Sequence, residues 1–221
     1  MSNALGIIMV GAGGFAQEIY SYLKEDIFGG KLVNFFVKGV LDDFPETYYH
    51  HSGIDAPYLG RLDEYKFEGN DRVLIAIGSA KERQRISLEM ASRGAEFLTY
   101  VHSSCHVAED SIIGTGSIVC PNSIVNSHAV VGEQVVINVF CSVGHGARIG
   151  KWSVLSPYSA LNGGACVGDL CFLGTRATVF PRVSVGNKCM VDTHSFAKSN
   201  VPDGHIVSCR SEYSVIRNRL V

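Results

Sequence analysis

The chain has 221 residues, of which 46% are hydrophobic and 18% charged, with a formal net charge of −2. This balance supplies a full core but no basic face for nucleic acid or an anionic membrane, and no apolar run approaches the roughly 20 residues of a membrane span. The start lacks a basic stretch followed by a cleavage site, so the sequence reads as cytoplasmic.

The apolar run 6–10, the turn Gly11-Ala12-Gly13-Gly14 and an amphipathic stretch through Leu23 predict a strand, a glycine turn and a helix. Such a turn gathers bare backbone N–H groups and a helix N-terminus at one point, where a phosphate or a polar nucleotide edge can bind. Only about ninety residues precede the repeat described below, less than a full dinucleotide-binding domain, so a purely structural turn stays open as the alternative. A second strand over 35–41 ends in Asp42-Asp43 and a loop containing Pro45. A third over 73–77 ends in Gly78-Ser79 before a helix over 81–93. Ligands collect at the carboxyl ends of parallel strands. Gly11, Gly13, Gly14, Asp42, Asp43 and Gly78 are therefore grouped as one candidate substrate pocket, against the plainer reading of Asp42-Asp43 as a solvated turn. Lys81, Arg83 and Arg85 read as a solvated helix face, and His50-His51 has no third ligand at metal spacing. Residues 1–100 are assigned to a small α/β, Rossmann-like domain.

From Val101 every sixth residue is Val, Ile or Leu, until Ala197 takes the last place. A period of six fits neither a helix nor a single strand. It fits a parallel β-helix of short strands and turns, in which three hexapeptides make one coil and each inward residue stacks on the residue eighteen positions away. Residues 101–200 supply about five such coils, and 201–221 form a C-terminal tail. The residue four places after each beat is small and turns inward at a corner. Gly114, Gly132, Gly150, Gly168 and Gly186 are expected to supply the unusual backbone angles of those corners.

Seven cysteines include no CxxC pair, so neither a disulfide framework nor a zinc ribbon is indicated. Cys105, Cys141, Cys171 and Cys189 fall on the small-residue phase as buried wall residues. His145 falls two places after a beat, beside a corner and outside the core, where packing gives no reason for a histidine. Gly163 lies one coil away. A base with an ordinary pKa near neutrality beside a backbone N–H able to hold an oxyanion is minimal machinery for acyl transfer. A zinc enzyme on this scaffold would need histidines on matching faces of adjacent coils, and His128, His145 and His194 lack that spacing.

The glycine turn, the segments VHSSCHVAEDSIIGTGS, NVFCSVGHGARIG and LNGGACVGDLCFLGTRATVFP, and nearly all the chain between them resemble the sialic acid O-acetyltransferase family of sugar acyltransferases. That family includes N-acetyltransferases acting on nucleotide-linked 4-amino-4,6-dideoxy sugars. The resemblance implies a left-handed β-helix, acetyl-CoA as co-substrate, no metal, and a role in surface glycan biosynthesis such as O-antigen and lipopolysaccharide assembly. It implies His145 as general base, Asn138 facing the sugar, and Gly163 as donor to the thioester carbonyl. Coenzyme contacts fall to Gly163, Gly164, Thr175 and Thr193, and the nucleotide-linked sugar to the N-terminal pocket. It also implies a homotrimer with acetyl-CoA between neighbouring β-helices. O-acetylation of a sialic acid, or a catalytically impaired scaffold, are the alternatives. Three departures stand out: Gly146 replaces the acid that follows the family's histidine, Val154 replaces a second histidine nine places on, and Ser208-Cys209-Arg210-Ser211 replaces a terminal Gly-Val-Pro-Ala.

Overall fold

The computed structural model describes residues 4–44 and 53–209; Pro45, His50-His51 and Arg210-Ser211 lie outside them. The N-terminal unit contains β1 (Leu5–Val10), α1 (Gly14–Phe28), β2 (Phe35–Leu41), β3 (Tyr58–Gly60), β4 (Asp71–Ile75) and α2 (Ala80–Ser92). Its four strands form a sheet in the order β3-β2-β1-β4, and every adjacent pair is parallel. The short edge strand β3 is additional to the sequence expectation, and β4 starts and ends two residues earlier than expected. β1 is central and reads Ile7-Ile8-Met9-Val10 without polar interruption. A parallel strand covered on both faces needs that continuous apolar run rather than an alternating one.

From Tyr100 the chain winds through two-residue strands that recur every six residues up to Phe196–Ala197. They stack into three parallel sheets of five, seven and six strands. The second residue of each strand is the aliphatic beat, and these residues form one continuous core from Val101 to Val207. Register matches the eighteen-residue coil: Val131 pairs with Ile113 on one side and Ile149 on the other. Burying one such side chain contributes roughly 1.5–3 kcal/mol, and stacking repeats that term along the axis. The last coil is shorter. Val201 bridges Val185, and Ile206–Val207 pairs with Met190–Val191, so sixteen residues replace eighteen. The solenoid thus takes in the first part of the segment that the sequence assigns to a tail.

The corners hold two surprises. Left-handed backbone recurs at period six, with φ between 54° and 73° through Gly116, Asn122, His128, Gln134, Phe140, Gly146, Trp152, Tyr158, Gly164, Leu170, Arg176, Arg182, Lys188 and His194. Most of these are not glycine, and the glycines expected to supply the unusual angles are absent from the set. Gly114, Gly132, Gly150, Gly168 and Gly186 instead stack where successive backbones touch. A Cβ on Gly168 would lie 2.8 Å from the carbonyl carbon of Gly186 and from the Asn187 amide. Close approach, not backbone freedom, selects glycine on this column.

The small inward residues behave as expected, and several add hydrogen bonds between coils. Ser117 Oγ donates to Gly132 O (2.8 Å) and accepts from Val135 N (3.0 Å); Ser153 repeats the pattern with Gly168 O and Cys171 N. A buried hydroxyl satisfied in both directions incurs no desolvation deficit.

The seven-stranded sheet carries the N-terminal unit on its outer face. Arg83, which the sequence places on a solvated face, is fully buried at this junction. Its guanidinium donates to Ile75 O, to Ile77 O at 3.3 Å, to Gln134 O at 3.0 Å and to Gly116 O at 3.4 Å. Burial pushes its pKa down to about 9, still above neutrality. A spacing pattern along one helix cannot reveal a partner 51 residues away. Arg85 keeps the exposed role and pairs with Glu82 and Glu89. Further ties run from Trp152 Nε1 to Ser87 Oγ (2.9 Å) and from Tyr100 Oη to Asp26 Oδ2 (2.9 Å).

Candidate active site

The carboxyl ends of β1, β2 and β4 open on a cavity of about 530 Å3. Gly11, Gly13, Gly14, Asp42, Asp43 and Gly78 all line it, so the six residues grouped on sequence grounds come together. Gly13 caps α1 without a side-chain hydrogen bond, and the first turn holds no acidic residue. The negative charge nearest that helix end comes instead from Asp42, at the end of β2.

Asp42 and Asp43 have different work. Asp42 is buried rather than part of a solvated turn; its carboxylate accepts from Ala12 N at 2.6 Å and from Phe44 N at 2.9 Å. Oδ2 thus holds the glycine turn and Oδ1 holds the loop that follows β2. Asp43 is exposed and accepts from Leu62 N through Oδ1 at 3.1 Å, which leaves Oδ2 for a ligand. Phe15, Phe44 and Leu62 also line the cavity and were not singled out from the sequence. The signal for Phe15 was its place directly after the glycine turn.

His145 stands exposed at the corner after the strand Ser142–Val143. Gly163, one coil on, faces the imidazole so closely that a Cβ there would lie 2.5 Å from Nε2. The backbones also join, with Gly164 N donating to His145 O at 2.9 Å. Among the described residues the Gly163 N–H donates to no protein acceptor, and neither ring nitrogen of His145 has a hydrogen-bond partner. Gly146 carries the left-handed backbone of its column, φ 65°, with open space where a side chain would be. The imidazole is therefore oriented by packing on Gly163 and not by a neighbouring acid.

The remaining candidates sit at another corner. Asn138, Thr175 and Thr193 lie between the seven- and six-stranded sheets, whereas His145, Gly163 and Gly164 lie between the six- and five-stranded ones. Residues 141–144 separate the two corners by about 10 Å at roughly 3.3 Å per residue. The sequence groups Asn138 with His145 and Gly163; within one chain the fold parts them. Asn138 lines a second cavity, about 370 Å3, between α1 and the seven-stranded sheet. Gly78 and Phe15 belong to both cavities, so the two are contiguous. Val154 is buried and also lines this second cavity, paired in register with Val136. A helping group at position 154 would therefore serve the Asn138 cavity, away from its own chain's His145.

Among the described residues no three His, Cys, Asp or Glu side chains come together in a way that could hold a metal ion, and no helix is long and apolar enough to cross a membrane. Burial pushes the Cys141 thiol up to about 12 and that of Cys171 up to about 11. Both stay protonated at neutral pH, as wall residues rather than nucleophiles.

Comparison with known proteins agrees with this architecture. Residues 6–90 match the PglD N-terminal domain model. GDP-perosamine N-acetyltransferase of Escherichia coli O157:H7 is 25% identical over 159 residues, which cover 65% of this chain and 62% of that protein's length. A mutant of perosamine N-acetyltransferase from Caulobacter crescentus, solved with CoA and GDP-perosamine, superposes with a TM-score of 0.79 at 25% identity, covering 94% of this chain and 97% of its own. The acetyltransferase domain of PglB from Neisseria gonorrhoeae FA1090 shares the fold, with a TM-score of 0.78 at 20% identity over 91% of this chain and 95% of that domain. A unit matching the PglD N-terminal domain model, joined to an unbroken hexapeptide β-helix, makes the chain similar to hexapeptide-repeat sugar acetyltransferases.

Proposed function

We propose that the chain transfers an acetyl group from acetyl-CoA to the amino group of a nucleotide-linked 4-amino-4,6-dideoxy sugar. The observation that carries this reading is the pairing of His145 with Gly163, an imidazole without a partner among the described residues against a glycine whose N–H has no acceptor among them. In the proposed reaction the sugar nitrogen attacks the thioester carbonyl carbon and His145 accepts its proton. The Gly163 N–H stabilises the oxyanion. Collapse breaks the C–S bond, and the thiolate leaves with the proton returned by the imidazolium. The nucleotide occupies the cavity at the glycine turn, and Gly164, Thr175 and Thr193 contact the coenzyme. Relatives that bind CoA and GDP-perosamine support both partners.

Because Asn138 and His145 stand on different corners, one chain does not present a complete site. A rotationally symmetric assembly resolves this, with the His145 corner of one copy meeting the Asn138 corner of the next. A homotrimer with acetyl-CoA in the groove between copies is the assembly we propose. The test is mass spectrometry after incubation with acetyl-CoA and a panel of UDP- and GDP-linked sugars. A mass gain of one acetyl on amino sugars supports the reading. Acetylation confined to hydroxyl acceptors, or no transfer, overturns it.

A further inference from the structure

The six-stranded sheet differs from the other two in what it shows to solvent. The seven-stranded sheet is covered by the N-terminal unit, and the five-stranded sheet displays Arg148. From the six-stranded sheet project His106, Ile124, Ser142, Ala160, Thr178 and Phe196, with no lysine, arginine, aspartate or glutamate among them. Its edges continue the pattern through the middle coils: segments 138–141 and 156–159 on one side, and 144–147 and 162–165 on the other, also lack all four. Aromatic rings stand on this face. Phe140 and Tyr158, each 48% exposed, stack 5.1 Å apart with their planes 5° from parallel. Arg176 lies over the Tyr158 ring at 5.2 Å, and Phe180 stacks on Phe196. Depletion of charge together with ordered, exposed aromatics is the composition of the core of a protein–protein interface.

We infer that this uncharged face is where copies of the chain meet, and that Phe140 of one copy covers the His145 imidazole of the next. The occupant is a second copy because the face is flanked by the Asn138 corner on one side and the His145 corner on the other, which one chain cannot bring together. In a closed ring about an axis parallel to the solenoid, the edge at 138–141 of each copy meets the edge at 144–147 of its neighbour, and residues of equal height come together. Phe140 and Gly146 are six residues apart, a third of a coil, so their heights differ by roughly 1.6 Å for strands spaced about 4.8 Å apart. With Gly146 bare, open space adjoins the His145 imidazole within its own chain, and a ring at the level of Phe140 reaches that space from next door. Tyr158 and Arg176 hold the ring from behind through the stack. Phe140 is thus a positioning residue that acts through His145, packing where no acid orients the imidazole. The inference rests on the proposed acetyl transfer and deepens it, by naming the face that joins the copies and a side chain that one copy lends to the next.

The test uses the full chain, with light scattering for copy number and acetyl transfer to whichever nucleotide-linked sugar the wild type accepts. Phe140→Ala is expected to lower kcat about 100-fold, the cost of a ring displaced by about 1 Å, with KM for acetyl-CoA nearly unchanged. Phe140→Tyr, which keeps the ring, is expected to keep wild-type turnover. The separating sample is the mixed assembly of Phe140→Ala and His145→Ala chains, co-expressed with two different tags and purified through both. Every mixed trimer holds one junction at which an intact His145 meets an intact Phe140, so turnover returns to about a third of wild type per trimer. If Phe140→Ala alone separates into single copies, Phe140→Leu keeps an apolar anchor without the ring and replaces it in the mixture. A mixed assembly no more active than its parents overturns the inference while leaving acetyl transfer standing, as does a wild type that is active as a single copy. A wild type that acetylates no sugar overturns the acetyl-transfer reading, and the role of Phe140 with it.

Discussion

The imidazole of His145 rests on the bare Cα of Gly163, with no room for a methyl group between them. Gly163→Ala therefore forces the ring aside. A misplacement of about 1 Å costs on the order of 100-fold in rate, so kcat should fall by about that factor. Gly163 lies outside the buried core, so thermal melting should be little altered. A variant with normal turnover would show that the ring's seat on Gly163 is irrelevant to activity.

Replacing the imidazole itself is the more direct probe. General-base assistance is typically worth ~10²- to 10⁴-fold. His145→Ala should lower kcat by that amount with KM for acetyl-CoA nearly unchanged, as measured by thiol release. Unchanged turnover would remove His145 from the chemistry.

Two glycine columns make opposite predictions for stability. Gly168→Ala drives a methyl into the backbone of the next coil and should cost about 1–3 kcal/mol in urea unfolding. Gly146→Asn meets open space on a left-handed column already occupied by Asn122. It should change stability by less than about 0.5 kcal/mol.

Arg83 and Arg85 are two residues apart and should differ as sharply. Arg83→Met leaves several buried carbonyls without a donor and should lower stability by roughly 3 kcal/mol or more. Arg85→Ala should stay within about 0.5 kcal/mol. Chemical denaturation of the two variants side by side checks the contrast.

Lys38 joins the buried Asp71 at 2.7 Å, with Glu68 at 2.6 Å. Burial opposes charge on both Lys38 and Asp71, but the hydrogen bonds between them outweigh it and raise Lys38 while lowering Asp71. The lowered acid contributes stability above its unfolded value near 3.8, lost as pH falls through the folded one. The raised lysine contributes stability below its unfolded value near 10.5, lost as pH rises further. The melting-temperature gap between wild type and Lys38→Met should therefore be flat from pH 5 to 9 and narrow on either side. A gap that changes through neutrality would contradict this pairing.

The β-helix was legible because its signal is local and redundant: a missed beat at Ala197 does not disturb sixteen others. The glycine turn and the strand ends were legible for the same reason, since loop chemistry follows the strands that precede it. What spacing could not reveal was contact across the junction. Nothing in the neighbourhood of Arg83 predicts that Gly116 and Gln134 will need its donors. The period of eighteen correctly put Gly163 under His145, but it carried no information about which corner the N-terminal unit would cover. The resemblance groups Asn138 with His145 in a site shared between copies, and the solenoid holds the two on different corners of one chain.

The buried guanidinium of Arg83 acts as a dowel. It fixes the glycine-turn unit at the level of Gly116 and Gln134 along the solenoid axis, so the height of the glycine-turn cavity is set by the early coils. Lengthening or trimming the stack beyond Leu173 would leave that height unchanged, whereas a coil inserted between Gln134 and His145 would carry the His145 corner one strand spacing, roughly 4.8 Å, away from the pocket. The molecule has, in effect, a fixed zero mark at one end of its ruler and free length at the other.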